Sequence, residues 1–404
     1  MLQRTLITFC GRTNTGKSLL VNRITSQDMS IVSDISGTTT DPVKKTMELL
    51  PLGPVTIIDT PGIDDTSKLA KDRIQKTFDA LGKTDIAILV ADAASGICEY
   101  EETLIKLFKE KNIPYITVFN KCDLIQDSKN NSCATDITFT PADTTTQSSS
   151  IFVSALTGTN CNLLKEKISL LTEYTAKTRN RALVSDLVKP GSQVILVMPI
   201  DEGAPKDRII LPQQQVIRDL LNINAIPVCC TPDSLKQTLT SLKNKPALVI
   251  TDSQAFKQVN SILPQEIPLT SFSILMSRFK GTLSTSLEGI KALTTLKDGD
   301  KILISEGCTH HRQCKDIGTV KLPSWINSFC NKKFDYDFSS GNSFTNDIAQ
   351  YKLVIHCGGC MLNEKEMQSR IELCKACSVP VTNYGMIIAH INGILERSLA
   401  PLTI

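Results

Sequence analysis

The stretch Gly11-Arg-Thr-Asn-Thr-Gly-Lys-Ser18 narrows the possible folds of this chain more than any other. It fits G-x-x-x-x-G-K-S and lies between an apolar run, Thr5–Cys10, and an amphipathic one, Lys17–Ile24. A strand therefore leads into the loop and a helix leads out. Gly11 and Gly16 let the backbone wrap until its amides face phosphate oxygens, and the helix starting near Lys17 adds its positive dipole end. Lys17 is expected to reach the β- and γ-phosphates and Ser18 to bind Mg²⁺, with Leu19 next to them in the first helical turn. A unit of this kind belongs to an α/β fold whose sheet is mostly parallel and flanked by helices.

Later segments narrow the nucleotide. Asp59-Thr-Pro-Gly62 follows a strand-like run and can approach Mg²⁺ and the γ-phosphate. Asn120-Lys121-Cys-Asp123 ends another, and the Asp123 carboxylate can accept both donors of a guanine edge, which adenine does not offer. Ser154-Ala155-Leu156 supplies a backbone amide for guanine O6, and Gly37-Thr38-Thr39-Thr-Asp41 has the chemistry of a switch that closes on Mg²⁺. In this order the segments resemble the five GTP-binding motifs of translation-factor-like GTPases, above all the TrmE–Era group with its Gly-Thr-Thr switch. The resemblance implies a P-loop GTPase that binds GTP and GDP. Ser18, Thr39 and Asp59 would hold Mg²⁺, and Lys17, Asn14, Thr39 and Gly62 would serve hydrolysis. Ile63 stands where Ras-like enzymes place a glutamine to orient water, so turnover is expected to be slow, roughly 10⁻⁴ to 10⁻² s⁻¹ unless another group helps. Asn14 offers such help, because TrmE-like enzymes use an asparagine there to hold K⁺, whose charge acts as an arginine finger does elsewhere. The other reading is that Asn14 only shapes the loop.

Periodicity divides the 404 residues into three series of strands and helices: 1–175, 183–278 and 281–404. The first holds the nucleotide motifs, with a polar segment, Gln126–Ser150, read as an exposed insertion. The second has strand-like runs at Val194–Pro199, Pro227–Cys230, Ala247–Thr251 and Leu269–Ser273; lacking polar constellations, it suits packing better than chemistry and is assigned to self-association. In the third, Lys301–Ser305, Phe334–Phe338, Lys352–His356 and Pro380–Thr382 are strand-like. A net charge of +3 with dispersed Lys and Arg gives no case for nucleic acid. No run approaches the roughly 18 apolar residues of a membrane span. The nucleotide motif begins so early that no cleavable signal is expected before it, which points to a reducing, cytoplasmic setting.

In such a setting 14 cysteines suggest metal chemistry, and seven of them fall between Cys308 and Cys377. Cys308-Thr-His310 is separated by 45 residues from His356-Cys-Gly-Gly-Cys360. Cys308 and Cys357 each follow a strand-like run, so both can emerge at the carboxyl edge of one parallel sheet. Such thiols suit either zinc or an iron–sulfur cluster. His310 and His356 are ligands or supports behind the ligands, Cys314 a ligand or a partly buried thiol, and His311 and His390 structural. Cys374-Lys-Ala-Cys377 either completes a zinc site with Cys357 and Cys360 or packs, while Cys229-Cys230 is expected in the core.

Taken together, the nucleotide motifs, the middle series and Cys-x-His…His-Cys-x-x-Cys resemble the HydF family of FeFe-hydrogenase maturation GTPases. The likeness extends to Ala204–Gln213, Asp316-Ile-Gly318 and Leu322-Pro-Ser-Trp325. It implies a 4Fe-4S cluster on Cys308, Cys357 and Cys360. It also implies a transient di-iron precursor, received from radical-SAM maturases and passed to apo FeFe-hydrogenase, and dimerisation through the middle domain. The chain departs from the family at Arg312-Gln-Cys314-Lys315, where relatives often carry acidic residues, so either Cys314, Asp316 or His310 takes a fourth-ligand role or the site stays open to solvent. The competing expectation is a TrmE–Era-like GTPase of tRNA modification or ribosome assembly with a structural zinc or iron–sulfur domain.

Overall fold

The computed structural model describes residues 5–25, 43–49, 53–62, 77–78, 80–125, 148–178, 181–200, 209–307, 316–341, 344 and 347–402. Gln3–Asn180 and Arg181–Ile404 form two compact units.

In the first, β1 (Thr5–Cys10), α1 (Lys17–Thr25), β2 (Val43–Leu49), β3 (Gly53–Asp59), β4 (Ile86–Asp92), α2 (Glu99–Glu110), β5 (Tyr115–Asn120), β6 (Ser148–Phe152) and α3 (Cys161–Thr178) follow one another. The strands make a sheet in the order β2-β3-β1-β4-β5-β6, parallel except for β2 against β3. β1, β4 and β5 are buried along nearly their whole length because helices cover both faces, which is why they read as unbroken apolar runs. Leu20 and Ile24 of α1 pack with Leu164 and Ile168 of α3 over one face. Leu104 and Phe108 of α2 pack with Leu81 over the other.

The apolar pattern does not announce β2. In Val43-Lys-Lys-Thr-Met-Glu-Leu49 only Leu49 is buried, and the strand lies at the sheet edge, where exposed lysines discourage further pairing. Ser148–Ser150, expected to close the polar insertion, instead pair with Tyr115–Thr117 and open β6. The rest of that insertion, residues 126–147, lies outside the described residues.

The second unit contains β7 (Gln193–Val197), α4 (Leu211–Asn222), β8 (Ile226–Cys230), α5 (Leu235–Ser241), β9 (Leu248–Thr251), α6 (Phe256–Ile262), β10 (Leu269–Ser271), α7 (Phe272–Phe279), α8 (Leu283–Ile290), β11 (Lys301–Glu306), α9 (Leu322–Cys330), β12 (Asp335–Ser340), β13 (Leu353–His356), α10 (Glu364–Ala376), β14 (Val381–Asn383), α11 (Tyr384–Ile391) and α12 (Leu395–Leu399). They build two parallel four-stranded sheets, β10-β9-β7-β8 and β12-β11-β13-β14. One continuous apolar core runs from Val194–Val197 and Leu248–Ile250 through Leu275 and Met276 to Ile302, Ile304, Leu353 and Ile355. The apolar helix α11 belongs to that core and packs against α7, α8 and α9. The expected burial of Cys229 and Cys230 is not met: Cys229 is exposed and Cys230 half-buried, because β8 is an edge strand. No described helix is long and apolar enough to cross a membrane.

Gly289 sets how closely α8 approaches β14, since a Cβ there would stand 2.0 Å from the Val381 carbonyl oxygen. Gly289→Ala is expected to destabilise this unit by about 1–3 kcal/mol through forced separation of helix and strand. Guanidinium unfolding at a midpoint no lower than that of the parent chain would contradict it.

Candidate functional site

At the carboxyl edge of β1 the chain turns through a loop into α1. Gly11 takes φ 144°, and a Cβ there would lie 2.1 Å from the Val90 carbonyl oxygen. Gly16 takes φ 82°, with the Asn120 amide where its Cβ would be. Gly62 approaches from the segment after β3, and its Cβ would stand 2.7 Å from Thr13 Cα. The missing side chains let three backbones converge around a space suited to phosphates. The Lys17 amine, on a residue only 6% exposed, donates to the Arg12 carbonyl at 2.5 Å. Ser18 Oγ donates to Asp59 Oδ2 at 2.7 Å, so a hydroxyl and a carboxylate suited to one Mg²⁺ already stand together. Leu19 packs against the core behind the loop. Asn14 is exposed with φ 61°, a left-handed conformation that asparagine tolerates better than most residues. Arg12 is anchored by Glu101, whose fully buried carboxylate accepts from its Nε at 2.8 Å and holds the guanidinium pKa above its usual value.

Asn120 joins the loops that converge from three strand ends. Its Nδ2 donates to the Thr15 carbonyl and its Oδ1 accepts from the Ala155 amide, both at 2.9 Å, with 1% of the residue exposed. Lys121, at φ 64°, donates to Asp92 Oδ2 at 2.8 Å. Burial opposes the Asp92 charge, but Lys121 and the Ala94 amide outweigh it and keep the carboxyl pKa low. The buried Ser154 closes its own turn by accepting from the Thr157 amide at 3.1 Å, while Asp123 stands exposed on the turn after β5. Thr38, Thr39, the rest of Gly37–Asp41 and Ile63 lie outside the described residues.

In the second unit β11 and β13 are neighbours with Ser305 opposite His356, and the Cys357 amide donates to the Ser305 carbonyl at 2.9 Å. Cys357 Sγ accepts from the amides of Gly307 at 3.1 Å and Gly359 at 3.3 Å. Burial still raises this thiol to about 11, so a metal arriving here has to displace a proton. Burial also raises Cys360, against the pull of Lys280. Gly359 has φ 60°, and its Cβ would meet Met367 Sδ at 2.8 Å. Two thiols in one tight turn, with amides directed at a sulfur, form a donor set that suits a thiolate-bound metal centre. Cys308, which follows Gly307 in the chain, lies outside the described residues, as do His310, His311 and Cys314.

The His356 ring is buried between Cys357 O, 2.9 Å from Nδ1, and Arg370 Nη1, 3.0 Å from Nε2. Burial first, and then Arg370, lower its pKa to about 3, so the ring is neutral with its proton assigned to Nδ1. Arg370 also donates to the Gly341 carbonyl at 2.6 Å and to Glu366 at 3.2 Å. Asp316 Oδ2 accepts from the amide and hydroxyl of Thr319 and caps the turn Ile317–Lys321. Cys374 packs with Leu303 and Val354, on the sheet face opposite Ile304 and Ile355, and Cys377 lies against the same cluster. Among the described residues no three His, Cys, Asp or Glu side chains converge to hold a metal, so the zinc option pairing Cys374 and Cys377 with Cys357 and Cys360 is not met.

Sequence reasoning misses Lys280 and Arg370, which stand in no motif; Arg370 sits in a helix rich in charged residues and Lys280 just after an apolar one. Burial lowers the Lys280 amine to about 8. Behind Cys357 lies a cavity of about 10 Å³, lined by Ser277, Thr282, Ser286, His356, Thr382 and Asn383, with room for about one water. Thr382 Oγ1 and Asn383 Nδ2 have no partner there among the described residues.

Residues 183–281 match the hydrogen maturase F dimerization domain, and residues 284–401 match the hydrogen maturase F tetramerization domain. Residues 6–121 match the family described as 50S ribosome-binding GTPase. GTPase Der of Kosmotoga olearia is 33% identical over 194 residues, 45% of this chain and 42% of that protein. The tRNA modification GTPase MnmE of Nitrosomonas europaea is 34% identical over 119 residues, 29% of this chain and 26% of its own. The chain thus spans less than half the length of these curated relatives. Among solved structures, Era of Aquifex aeolicus with GDP and aluminium fluoride is 19% identical, with 64% of this chain and 97% of that chain covered at a TM-score of 0.34. The first unit has the P-loop GTPase fold.

Asn120→Ala would leave the buried Thr15 carbonyl and Ala155 amide unpaired. Affinity for GTP and GDP is expected to fall about 10- to 100-fold, measured with a fluorescent nucleotide. Affinity within twofold of the parent would show that the loops hold without it.

Proposed function

The chain belongs to the hydrogen maturase F family, and from that premise we propose that it is a GTP-hydrolysing scaffold that carries a di-iron precursor to apo FeFe-hydrogenase. One observation carries the reading: a nucleotide loop with Ser18 set on Asp59 shares a chain with a cysteine turn whose Cys357 sulfur takes two amide hydrogen bonds. Backbone amides from Gly11 to Leu19 and the Lys17 amine bind the phosphates. Ser18, Asp59 and Thr39 hold Mg²⁺, and the Gly62 amide meets the γ-phosphate. Asp123 reads the guanine edge, Lys121 covers the base, and Ser154-Ala155 faces its O6, with Asn120 locking these loops together. Water then displaces GDP from the γ-phosphoryl group. Ile63 offers that water no hydrogen bond, so turnover is slow, and Asn14 positions K⁺ as the missing positive charge.

Cys308, Cys357 and Cys360 hold the 4Fe-4S cluster. When bound, a cluster on three thiolates supplies an iron able to take an exchangeable ligand. His356 has both ring nitrogens engaged and supports the turn from behind, while His310 and Cys314 remain candidates for direct contact with iron. The division into 1–175, 183–278 and 281–404 is supported by the limits of the two maturase matches. Those matches also support self-association, which we take to be a homodimer at least. Radical-SAM maturases supply the precursor, and the setting is cytoplasmic, without nucleic-acid or membrane partners. The tRNA-modification or ribosome-assembly alternative accounts for the GTPase segment alone and leaves 183–401 unexplained.

Mixed with apo-hydrogenase after expression beside the other maturases, the chain should restore hydrogen evolution; no evolution would refute the carrier role. Cys357→Ser, prepared anaerobically, should lose most of its iron and sulfide and keep GTP turnover within about twofold, since Cys357 belongs to none of the nucleotide motifs. GTP turnover should rise when Na⁺ is exchanged for K⁺, and equal rates would remove Asn14 from the mechanism.

A further inference from the structure

Lys280 follows α7, and although lysines usually lie at the surface only 1% of this one is exposed. Its amine donates to the Gly359 carbonyl and, at 2.5 Å, to the Leu362 carbonyl. These two carbonyls flank Cys360, so the amine grips the turn that carries the thiol. The hold is mutual, since Gln368 Nε2 of α10 donates to the Lys280 carbonyl at 2.8 Å. Ser273, in the first turn of α7, stands with its Cβ 3.5 Å from where a Gly358 side chain would begin. The cysteine turn, within the 284–401 match, is therefore seated on residues of the 183–281 match.

Withdrawing an ammonium group from water is costly unless an anion compensates it. The other buried cation near this turn, Arg370, has such an anion in Glu366 at 3.2 Å. Lys280 instead meets neutral carbonyls, and the titratable groups that act on it are the thiols of Cys360 and Cys357, ahead of the carboxylates of Glu366 and Glu364. Thiolates bound to a metal would supply the compensating charge.

We propose that Lys280 is a positioning residue of the cysteine centre, contributed by the dimerization segment, which fixes the Cys360 turn and holds positive charge beside its thiolates. The inference rests on the cluster reading above and gives the self-associating segment a direct hold on the metal site. A positive charge beside an anionic cluster favours the electron that reduction adds, so its loss lowers the reduction potential.

The test uses the full chain and Lys280→Met, each reconstituted anaerobically with ferrous iron and sulfide. Circular dichroism and elution volume check the fold, and Lys280→Gln replaces K280M should the latter fail to fold. The variant is expected to lose iron to a chelator with about 10-fold weaker retention. Its midpoint, followed by electron paramagnetic resonance during a redox titration, should move to more negative potential. A parent chain that takes up no iron overturns the cluster reading and this inference with it. A parent that binds a cluster, beside a folded variant with the same retention and midpoint, overturns the role of Lys280 alone.

Discussion

Parallel strands deliver their carboxyl ends to a common edge, and both candidate sites depend on that constraint. In the first unit the ends of β1, β3 and β5 bring Gly11–Ser18, Asp59–Gly62 and Asn120–Asp123 together. In the second, β11 and β13 end side by side with Ser305 opposite His356, which places Gly307 beside Cys357. An antiparallel arrangement of the same segments would send alternate loops to opposite edges and scatter these residues. Among the described strands of the first sheet, the antiparallel pairing is that of β2 with β3, at its edge.

Polar groups buried at these edges hold the loops because each loses water and must find a partner. Asn120 spends its carbonyl and its amide on two different loops, so it acts as a joint within the protein. Glu101 divides its two oxygens between Arg12 and the Cys98 amide, tying the nucleotide loop to the start of α2. Arg370 does the same for the cysteine turn, linking His356, Gly341 and Glu366 in one buried network. Such groups rigidify a site when fully paired and are costly when a partner is removed.

Much of the fold is legible along the chain. Most strands of the parallel sheets coincide with short apolar runs, and those runs end within a few residues of the structural strands, as Thr5–Cys10 and Lys352–His356 illustrate. The pattern fails where burial is partial. Val43–Leu49 forms a strand despite two adjacent lysines because edge position leaves most of it exposed, with only Leu49 buried. Cys229 is exposed although its neighbours are apolar, for the same reason. The shared core of the two sheets in the second unit is invisible to periodicity, which reports that a residue is buried but not what buries it.

The sequence by itself determined the glycine pattern of the nucleotide loop, the pairing of thiols in His356-Cys-Gly-Gly-Cys360, and the alternation of strands and helices. Each of these is a local property, set by steric freedom or by spacing of a few residues. Only the tertiary structure decided that Asn120 bridges Thr15 and Ala155, that Arg370 engages His356, and that Lys280 closes on the turn of Cys360 from 80 residues away. Contacts of that kind arise when distant elements bury polar groups against one another, and no spacing along the chain encodes which groups will meet.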